Sequence, residues 1–181
     1  KTKQLILSQY HISKNTVHIY LQELINKKIK SFHGYPSTVT NFSNLIKSQG
    51  LIKLAQDLNL RCITVGSESL SLNQKKIIES VFNCKVLNFY GQTESVVDIF
   101  ECEYGKMHIN EAFSFVELIE TNTKGIYNLI GTQLRNSKFP LIRYNTGDLV
   151  EYDSAFCCGC GRKARVITKI VGRNEDYIVL D

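Results

Sequence analysis

The hydrophobic pattern of the chain changes near residue 100, and this change constrains the fold more than any other feature. Before it, short apolar runs at 61–66 and 85–90 alternate with segments of helical period such as 71–82. Strands that alternate with helices indicate a parallel sheet with crossover helices. After it, short strand-like runs follow one another between turn residues, which is typical of antiparallel pairing. We therefore predict an α/β fold: a parallel sheet with flanking helices, followed by a mostly antiparallel sheet or partial barrel.

Three helices are predicted before the first of these strands. Apolar residues recur at three- and four-residue steps after Ser13, which indicates an amphipathic helix with one buried face. Ser37 or Thr38 is expected to cap a second helix that stops at Gly50, because their hydroxyls accept hydrogen bonds from the N–H groups of a first turn. A third helix is predicted over 51–58.

The size and composition of the chain restrict its class. With 181 residues and 43% hydrophobic content, the chain can bury one sizeable core. We see no apolar run of the roughly 18 residues that a membrane helix needs and no secretory signal, so we expect a cytoplasmic protein with no membrane partner. Its six cysteines are then expected to be thiols or metal ligands rather than disulfides.

Polar residues directly follow two of the predicted strands. Gly66-Ser67-Glu68 comes after one, and Tyr90-Gly-Gln-Thr-Glu94 comes after the other. Parallel sheets bind ligands outside the carboxyl ends of their strands. There a glycine permits close backbone approach, a tyrosine ring can stack on a base, a threonine can bond a phosphate oxygen, and a glutamate can hold Mg²⁺. The same residue types also cap helices, so the spacing alone leaves a structural role open.

Together with three further stretches, these residues resemble the adenylate-forming superfamily of acyl-CoA synthetases, in particular the phenylacetate-CoA ligase branch and its relatives in capsular polysaccharide biosynthesis. The resemblance implies a ligase that activates a carboxylic acid with ATP to an acyl-adenylate and passes it to a thiol acceptor such as coenzyme A. It implies ATP or AMP, Mg²⁺ and coenzyme A as cofactors. The matching stretches are Gly34-Tyr-Pro-Ser37, Gly66-Ser-Glu68, Tyr90-Gly-Gln-Thr-Glu94, Pro140-Leu-Ile-Arg-Tyr-Asn-Thr-Gly-Asp148 and Gly172-Arg-Asn-Glu-Asp176.

The resemblance also implies which residues contact the adenine base. Gly66, Ser67 and Glu68 would line the adenine pocket. Tyr90 would stack on the base, and Gly91 would let the backbone approach the nucleotide. These assignments place one half of the predicted cofactor-binding site after each of the two strands.

Four further residues are implied at the phosphate and the ribose. Thr93 would contact the α-phosphate and Glu94 would hold Mg²⁺, so these two are the catalytic candidates. Asp148 would accept hydrogen bonds from the ribose hydroxyls, and Arg173 would contact the ribose from the hinge side. These roles agree with the chemistry of the side chains, because a carboxylate is an acceptor that suits both sugar hydroxyls and a hard cation.

The chain departs from the family pattern in three respects. Asn145 stands at an arginine position, and Glu175 replaces the hinge aspartate. The family's upstream phosphate loop and its C-terminal lobe with a catalytic lysine are not recognised. We therefore expect a fragment that partners the missing parts of its own chain and is inactive alone, because charge stabilisation at the transferred phosphoryl group is absent. Residues 1–100 would be a partial nucleotide-binding subdomain, 101–172 an antiparallel β subdomain, and 173–181 a hinge stub.

A group of cysteines and one histidine forms a separate candidate site. Cys102 and His108 flank a predicted hairpin, and Cys158 and Cys160 occupy a later loop. Three thiolates and one imidazole can hold Zn²⁺ tetrahedrally with no open position, which predicts a structural rather than a catalytic metal. Cys157 with Cys160 is an alternative pair, and reduced thiols are an alternative to zinc. Relatives in the phenylacetate-CoA ligase branch resemble the chain in this pattern as well.

Two other functions compete with the ligase hypothesis. Residues 12–29 look like the recognition helix of a winged helix-turn-helix, and the net charge is +5, so one alternative is a DNA-binding protein with a structural zinc. We nevertheless expect no nucleic-acid partner, because no clear helix precedes this segment and the later motifs would be unexplained. The other alternative is a noncatalytic relative of the ligases.

Overall fold

A computed structural model describes residues 4–174 of the chain. The described residues form two compact units that divide after Val86. The division falls within strand β3 (Lys85–Gly91), so this strand continues from one unit into the next. The change in sequence pattern near residue 100 lies further along the chain than this division.

The first unit is an α/β arrangement of two strands and four α-helices. Strands β1 and β2 pair in parallel, with Ser31 opposite Cys62. No helix in residues 4–174 has the length and apolar content needed to cross a membrane. The elements are a 3-10 helix Gln9–His11, α1 (Val17–Asn26), β1 (Ser31–Gly34), α2 (Pro36–Ser48), α3 (Ile52–Gln56), β2 (Cys62–Gly66) and α4 (Leu72–Phe82).

One hydrophobic core holds this unit together. Helix α1 contributes its predicted apolar face to it, and Leu21 on that face is fully buried. Phe82 at the end of α4 meets the ring of Phe32 on β1 edge-on, with centroids 5.5 Å apart. Aromatic pairs in this geometry add to the free energy gained by burial. The core therefore packs the helices of this unit together with β1 and β2.

The start of helix α2 differs from the sequence prediction. Tyr35 is the residue at the N-cap and Pro36 occupies the first turn, so neither Ser37 nor Thr38 is the cap. Proline favours this position because its fixed backbone angle suits a helix start and it has no N–H to satisfy. Ser37 instead donates from its backbone N and its Oγ to the carboxylate of Glu68, over 3.0 and 2.9 Å.

Helix α4 begins with a capping box formed by Ser71 and Gln74. Ser71 Oγ accepts from the Gln74 N–H at 3.2 Å, and Gln74 Oε1 accepts from the Ser71 N–H at 2.9 Å. Ser71→Ala is expected to lower the free energy of unfolding by about 1 kcal/mol, because the Gln74 N–H in the first turn loses its acceptor. Urea denaturation measures this effect. The exposed neighbour Ser69→Ala is the control, and an equal loss there would contradict the assignment to the cap.

The second unit is a sheet of antiparallel strands. Its strands lie in the order β3-β4-β5-β9-β8-β7-β6, and β6 lies at an edge, so the described sheet is not closed into a barrel. The predicted fold class is confirmed. Strands β4 and β9 are additions that the sequence analysis missed. The remaining strands are β4 (Asp98–Glu101), β5 (Met107–Ile109), β6 (Ser114–Glu120), β7 (Ile126–Gln133), β8 (Tyr144–Tyr152) and β9 (Val166–Arg173).

Strand β7 is in close contact with the segment that follows β3. Val96 and Val97 of that segment are buried in the core of the second unit with Leu129 of β7. At Gly131, a Cβ atom would lie 2.2 Å from the carbonyl oxygen of Val96 and 2.8 Å from Val97 Cγ2. Real Cβ atoms do not approach other atoms so closely. Gly131 is therefore the residue that allows the two backbones to touch.

Candidate functional site

Three non-glycine residues adopt left-handed backbone angles away from helix ends in the described chain. They are Ser67, Ser95 and Arg143, with φ of 66°, 54° and 48°. All three lie in or directly beside the stretches that carried the resemblance. A side chain makes this conformation cost on the order of 1 kcal/mol, and such strain persists where the surroundings enforce it, often at ligand sites. The left-handed backbone angles therefore occur in the same parts of the chain as the motifs that carried the resemblance.

In the first unit, the Gly66-Ser67-Glu68 turn follows β2 as predicted. Gly66 is buried at the end of the strand, whereas Ser67 and Glu68 are exposed. The Glu68 carboxylate accepts both hydrogen bonds from Ser37 described above. A negative charge at a helix start also interacts favourably with the helix dipole. Glu68 therefore fixes this turn to the first turn of α2.

In the second unit, Tyr90 and Asp148 are in direct contact. Tyr90 Oη donates to Asp148 Oδ2 over 2.5 Å. Their strands β3 and β8 are not neighbours in the sheet order, so the sheet curls to bring these ends together. Burial, and then the hydrogen bond to Asp148, raises the pKa of Tyr90 far above its usual value. Tyr90 is consequently a neutral donor that holds the carboxylate in place.

Asp148 is oriented from its other sides by β8 and β9. Its backbone N–H donates to Thr146 Oγ1 at 3.1 Å, and that hydroxyl donates to the Leu129 carbonyl at 2.8 Å. Arg173 pairs with Asp148 in the β8–β9 register, and its Nε lies 4.0 Å from Asp148 Oδ1. The Arg173 side chain is mostly exposed, whereas the Asp148 side chain is mostly buried. The structure thus brings Tyr90, Asp148 and Arg173 together.

Thr93 and Glu94 form an exposed turn after Gly91. Two contacts of Gln92 shape this turn: its carbonyl accepts from the Ser95 N–H at 3.0 Å, and its Oε1 accepts from the Val97 N–H at 3.2 Å. Tyr144 Oη donates to Glu94 Oε1 at 3.2 Å. The negative charge of Glu94 raises the pKa of Tyr144, so this tyrosine also stays a neutral donor. The site therefore contains two tyrosine–carboxylate pairs.

A cleft of about 590 Å³ lies beside this turn. Thr93 and Glu94 form part of its wall, and Phe139 and Leu141 give it an apolar side. Gln133, at the end of β7, is also in the wall, and its side-chain Nε2 donates to the Glu94 carbonyl. Gln133 was not predicted from the sequence, and Tyr144 was given no role there. Tyr144 lies within a quoted motif, whereas no sequence signal distinguished Gln133.

Of the two positions where another residue stands in the family pattern, Asn145 and Glu175, the structure describes one. Asn145 lies on β8, and its Oδ1 accepts from the Gly147 N–H at 3.0 Å. It thus shapes the irregular part of β8 before Asp148, where Gly147 has a φ of 75°. Glu175 and the hinge residues after it lie outside the described residues.

The cysteine and histidine side chains of the second unit form a compact cluster. The Sγ atoms of Cys102, Cys158 and Cys160 and a ring nitrogen of His108 all lie within 4.8 Å of one another. The Cys102 and Cys158 sulfurs are 3.6 Å apart, and Cys160 Sγ is 3.4 Å from His108 Nε2. Ligands about 2.0–2.3 Å from a tetrahedral Zn²⁺ are separated by roughly 3.3–3.8 Å. The donor set and its spacing therefore fit Zn²⁺. Cys157 is exposed and is not part of the cluster.

Hydrogen bonds outside the cluster orient its donor atoms. His108 is fully buried, and its Nδ1 lies 3.3 Å from the Ala164 carbonyl. A carbonyl only accepts, so Nδ1 carries the hydrogen and the Nε2 lone pair faces the sulfurs. The Tyr104 N–H donates to Cys102 Sγ at 3.4 Å. Burial opposes ionisation of Cys160, but hydrogen bonds from Arg162 and the neighbouring thiols lower its pKa to about 7, which favours the thiolate.

The chain is similar in sequence to two kinds of curated protein, although no protein-family model matches it. It is 28% identical over 177 residues to the protein CapK of Staphylococcus aureus, covering 97% of this chain and 38% of CapK. It is 27% identical over 156 residues to the phenylacetate-coenzyme A ligase of Pseudomonas putida, covering 80% of this chain and 34% of that ligase. The chain thus spans less than half the length of these relatives.

Solved structures share the fold. A 2-hydroxyisobutyryl-CoA ligase in complex with 2-HIB-AMP and CoA matches 93% of this chain and 42% of its own, with a TM-score of 0.75 and 19% identity. The anthranilate CoA ligase AuaEII in complex with anthranoyl-AMP matches 92% of this chain and 34% of its own, with a TM-score of 0.62 and 15% identity. The resemblance inferred from the motifs is thus confirmed: this chain is a relative of CapK and the phenylacetate-coenzyme A ligases, with the fold of adenylate-forming CoA ligases.

Proposed function

We propose that the chain is the central part of an ATP-dependent ligase that activates a carboxylic acid as its acyl-adenylate and passes the acyl group to a thiol. The contact between Tyr90 and Asp148, beside Arg173, carries this proposal. It offers an aromatic ring, an oriented acceptor and a cation side by side in a fold that relatives use for acyl-adenylates. In the reaction, a carboxylate oxygen of the acid attacks the α-phosphorus of ATP and pyrophosphate leaves. The thiol then replaces AMP at the acyl carbon.

The nucleoside would bind at the Tyr90–Asp148 pair. The ring of Tyr90 stacks on the base, and Gly91 lets the backbone come close. A carboxylate accepts several hydrogen bonds at once, so Asp148 can hold Tyr90 Oη and the ribose hydroxyls together. For the first unit, Gly66, Ser67 and Glu68 remain the predicted adenine contacts, and Glu68 is kept in place there by its two bonds from Ser37.

The phosphates would bind at the Thr93–Glu94 turn. The Thr93 hydroxyl donates to an α-phosphate oxygen, and Glu94 supplies an exposed carboxylate, which is the ligand type that Mg²⁺ prefers. When bound, Mg²⁺ neutralises charge on the phosphate oxygens as the α-phosphorus is attacked. Tyr144, hydrogen-bonded to Glu94 Oε1, orients that carboxylate.

The cysteine–histidine cluster is proposed to hold a structural Zn²⁺ ion. Cys102, His108, Cys158 and Cys160 supply four ligands, which leaves no position for a substrate. The ion would fasten the turn between β4 and β5 to the loop that precedes β9. It would have no part in the reaction.

Other parts of the proposal rest on the relatives. Coenzyme A as the thiol acceptor, the N- and C-terminal parts of a longer chain as partners, and a role in capsular polysaccharide biosynthesis in the cytoplasm remain predictions. Alone, the chain is expected to be inactive. If the complete protein binds no nucleotide, it is the noncatalytic relative considered above.

Calorimetric titration of the full-length protein with AMP and Mg²⁺ tests the proposal. Asp148→Ala is expected to weaken AMP binding about tenfold to a hundredfold, because the ribose loses a charged acceptor. Tyr90→Ala is expected to cause a similar loss through the missing stacking surface. Tyr90→Phe, which keeps the ring, should lose much less.

The exposed carboxylate Asp57 is the matched control, because it lies outside the proposed site in an ion pair with Lys53. Asp57→Ala should bind AMP like the unchanged protein. Absence of saturable AMP binding in the full-length protein, or equal binding in the Asp148→Ala variant, would refute the proposal. A parallel titration with duplex DNA tests the winged-helix alternative, which predicts salt-dependent binding there instead.

A further inference from the structure

Gln133 connects three segments of the second unit at the edge of the cleft. Its backbone pairs with Leu141, since the Gln133 N–H donates to the Leu141 carbonyl at 2.9 Å. Its side-chain Oε1 accepts from the Leu141 N–H at 3.0 Å. Its Nε2 donates to the backbone carbonyl of Glu94. The oxygen of the Gln133 side-chain amide thus bonds to Leu141, in the segment between β7 and β8, and its nitrogen bonds to the Thr93–Glu94 turn.

The turn that receives this bond is exposed, and its other hydrogen bonds involve Gln92, Ser95 and Tyr144. Thr93, Glu94 and Ser95 are exposed, and Ser95 holds a left-handed angle of 54°. The segment becomes buried only at Val96, where Gly131 of β7 allows contact. An exposed turn with a strained residue opens locally at a low free-energy cost unless other contacts stabilise it. A bond to the peptide that follows Cα of Glu94 restricts where its carboxylate points.

We propose that Gln133 is a positioning residue for Glu94. Gln133 sets the direction of the Glu94 carboxylate, and that carboxylate would hold the divalent cation of the nucleotide. The inference rests on the function proposed above. Gln133 itself contacts neither metal nor nucleotide in this role; it acts through the Glu94 carbonyl. Tyr144 fixes the far end of the same side chain, so Glu94 is held at both its backbone and its carboxylate.

The two bonds of the Gln133 amide can be separated by substitution. Gln133→Glu keeps an oxygen for the Leu141 N–H but cannot donate to the Glu94 carbonyl. Gln133→Met keeps the length of the side chain without charge and loses both bonds. A change common to the two variants is therefore due to the lost donor. Gln56→Met is the matched control, because Gln56 Nε2 also donates to a backbone carbonyl, that of Ser80, at 3.3 Å.

Two measurements on the full-length protein test the role of Gln133. Hydrogen exchange without ligand should show the amides of 93–97 exchanging about fivefold to tenfold faster in both Gln133 variants, because the turn loses one of its restraining hydrogen bonds. Titration of Mn²⁺ into the ATP-bound protein should give about tenfold weaker metal binding, as in Glu94→Gln. Affinity for ATP in the presence of a chelator should stay unchanged. A general loss of structure would lower both affinities and the melting temperature together.

The outcomes separate this inference from the function on which it rests. If Glu94→Gln weakens Mn²⁺ binding while both Gln133 variants bind it like the unchanged protein, the positioning role is wrong and the proposed function stands. If the unchanged protein binds no ATP, or Glu94→Gln leaves Mn²⁺ affinity unaltered, the metal role of Glu94 fails and the positioning role fails with it. Slow exchange at 93–97 in the Gln133 variants would also overturn the inference.

Discussion

Cys102→Ser is expected to remove zinc from the protein and to lower its free energy of unfolding by about 4 kcal/mol or more. Cys102 is nearly fully buried, and its sulfur faces Cys158 across the cluster. A serine hydroxyl is a poor zinc ligand, so the proposed ion would be lost from Cys158, Cys160 and His108. The turn between β4 and β5 would then be released from the loop before β9.

Zinc content measured by mass spectrometry and urea denaturation with and without a chelator check this expectation. Cys157→Ser is the matched control: it removes an exposed thiol next to Cys158 that lies outside the cluster. That variant should keep one zinc per chain and its full stability. Purified protein without zinc would contradict the proposed structural ion, and loss of zinc in Cys157→Ser would show that the ligand set is different.

Gly131→Ala is expected to have the second large effect, with a loss of about 3 kcal/mol or more in the free energy of unfolding. A methyl group at this position would lie 2.2 Å from the Val96 carbonyl oxygen and 2.7 Å from its carbon. These are backbone atoms that no rotamer change can move. Overpacking in a core costs about 1–3 kcal/mol when side chains can adjust, so contact with backbone should reach the upper end or exceed it.

Urea denaturation measures the stability of Gly131→Ala, and hydrogen exchange locates the change. We expect faster exchange at 93–97, because Val96 must move away and the turn moves with it. Gly125→Ala is the control: its φ of 82° penalises a side chain, but nothing lies within 4 Å of the added atom. It should cost only about 1 kcal/mol. Equal losses in the two variants would show that close contact at Gly131 is not what matters.

Local patterns were sufficient to predict much of the fold. The strand–helix–strand order of residues 62–91 follows from short apolar runs separated by one amphipathic segment, and both are local signals. Strand β9 was missed although Val166 and Ile167 begin a β-branched run, because Lys169 interrupts it and the run is recognisable as a strand only beside β5 and β8. The cap of α2 was misassigned because the acceptor, Glu68, comes from elsewhere in the sequence.

The residues of the candidate site also fall into two groups: those that local sequence patterns identify and those that they do not. Tyr90, Glu94 and Asp148 stand in recognisable stretches, so sequence alone could single them out. Gln133 and Gly131 matter through contacts with residues far from them in the chain, and nothing in their own neighbourhood announces those contacts. Their importance follows from the curled sheet, which a single sequence without a structure does not reveal.

The two tyrosine–carboxylate pairs have a consequence for titration experiments. Both tyrosines have raised pKa values, Tyr90 mainly through burial and Tyr144 mainly through the charge of Glu94. Neither phenol therefore changes its charge between acidic and moderately alkaline solution. A nucleotide phosphate loses its second proton near pH 6. If the affinity for AMP changes with pH near that value, the change would accordingly reflect ionisation of the ligand, because both phenols stay neutral.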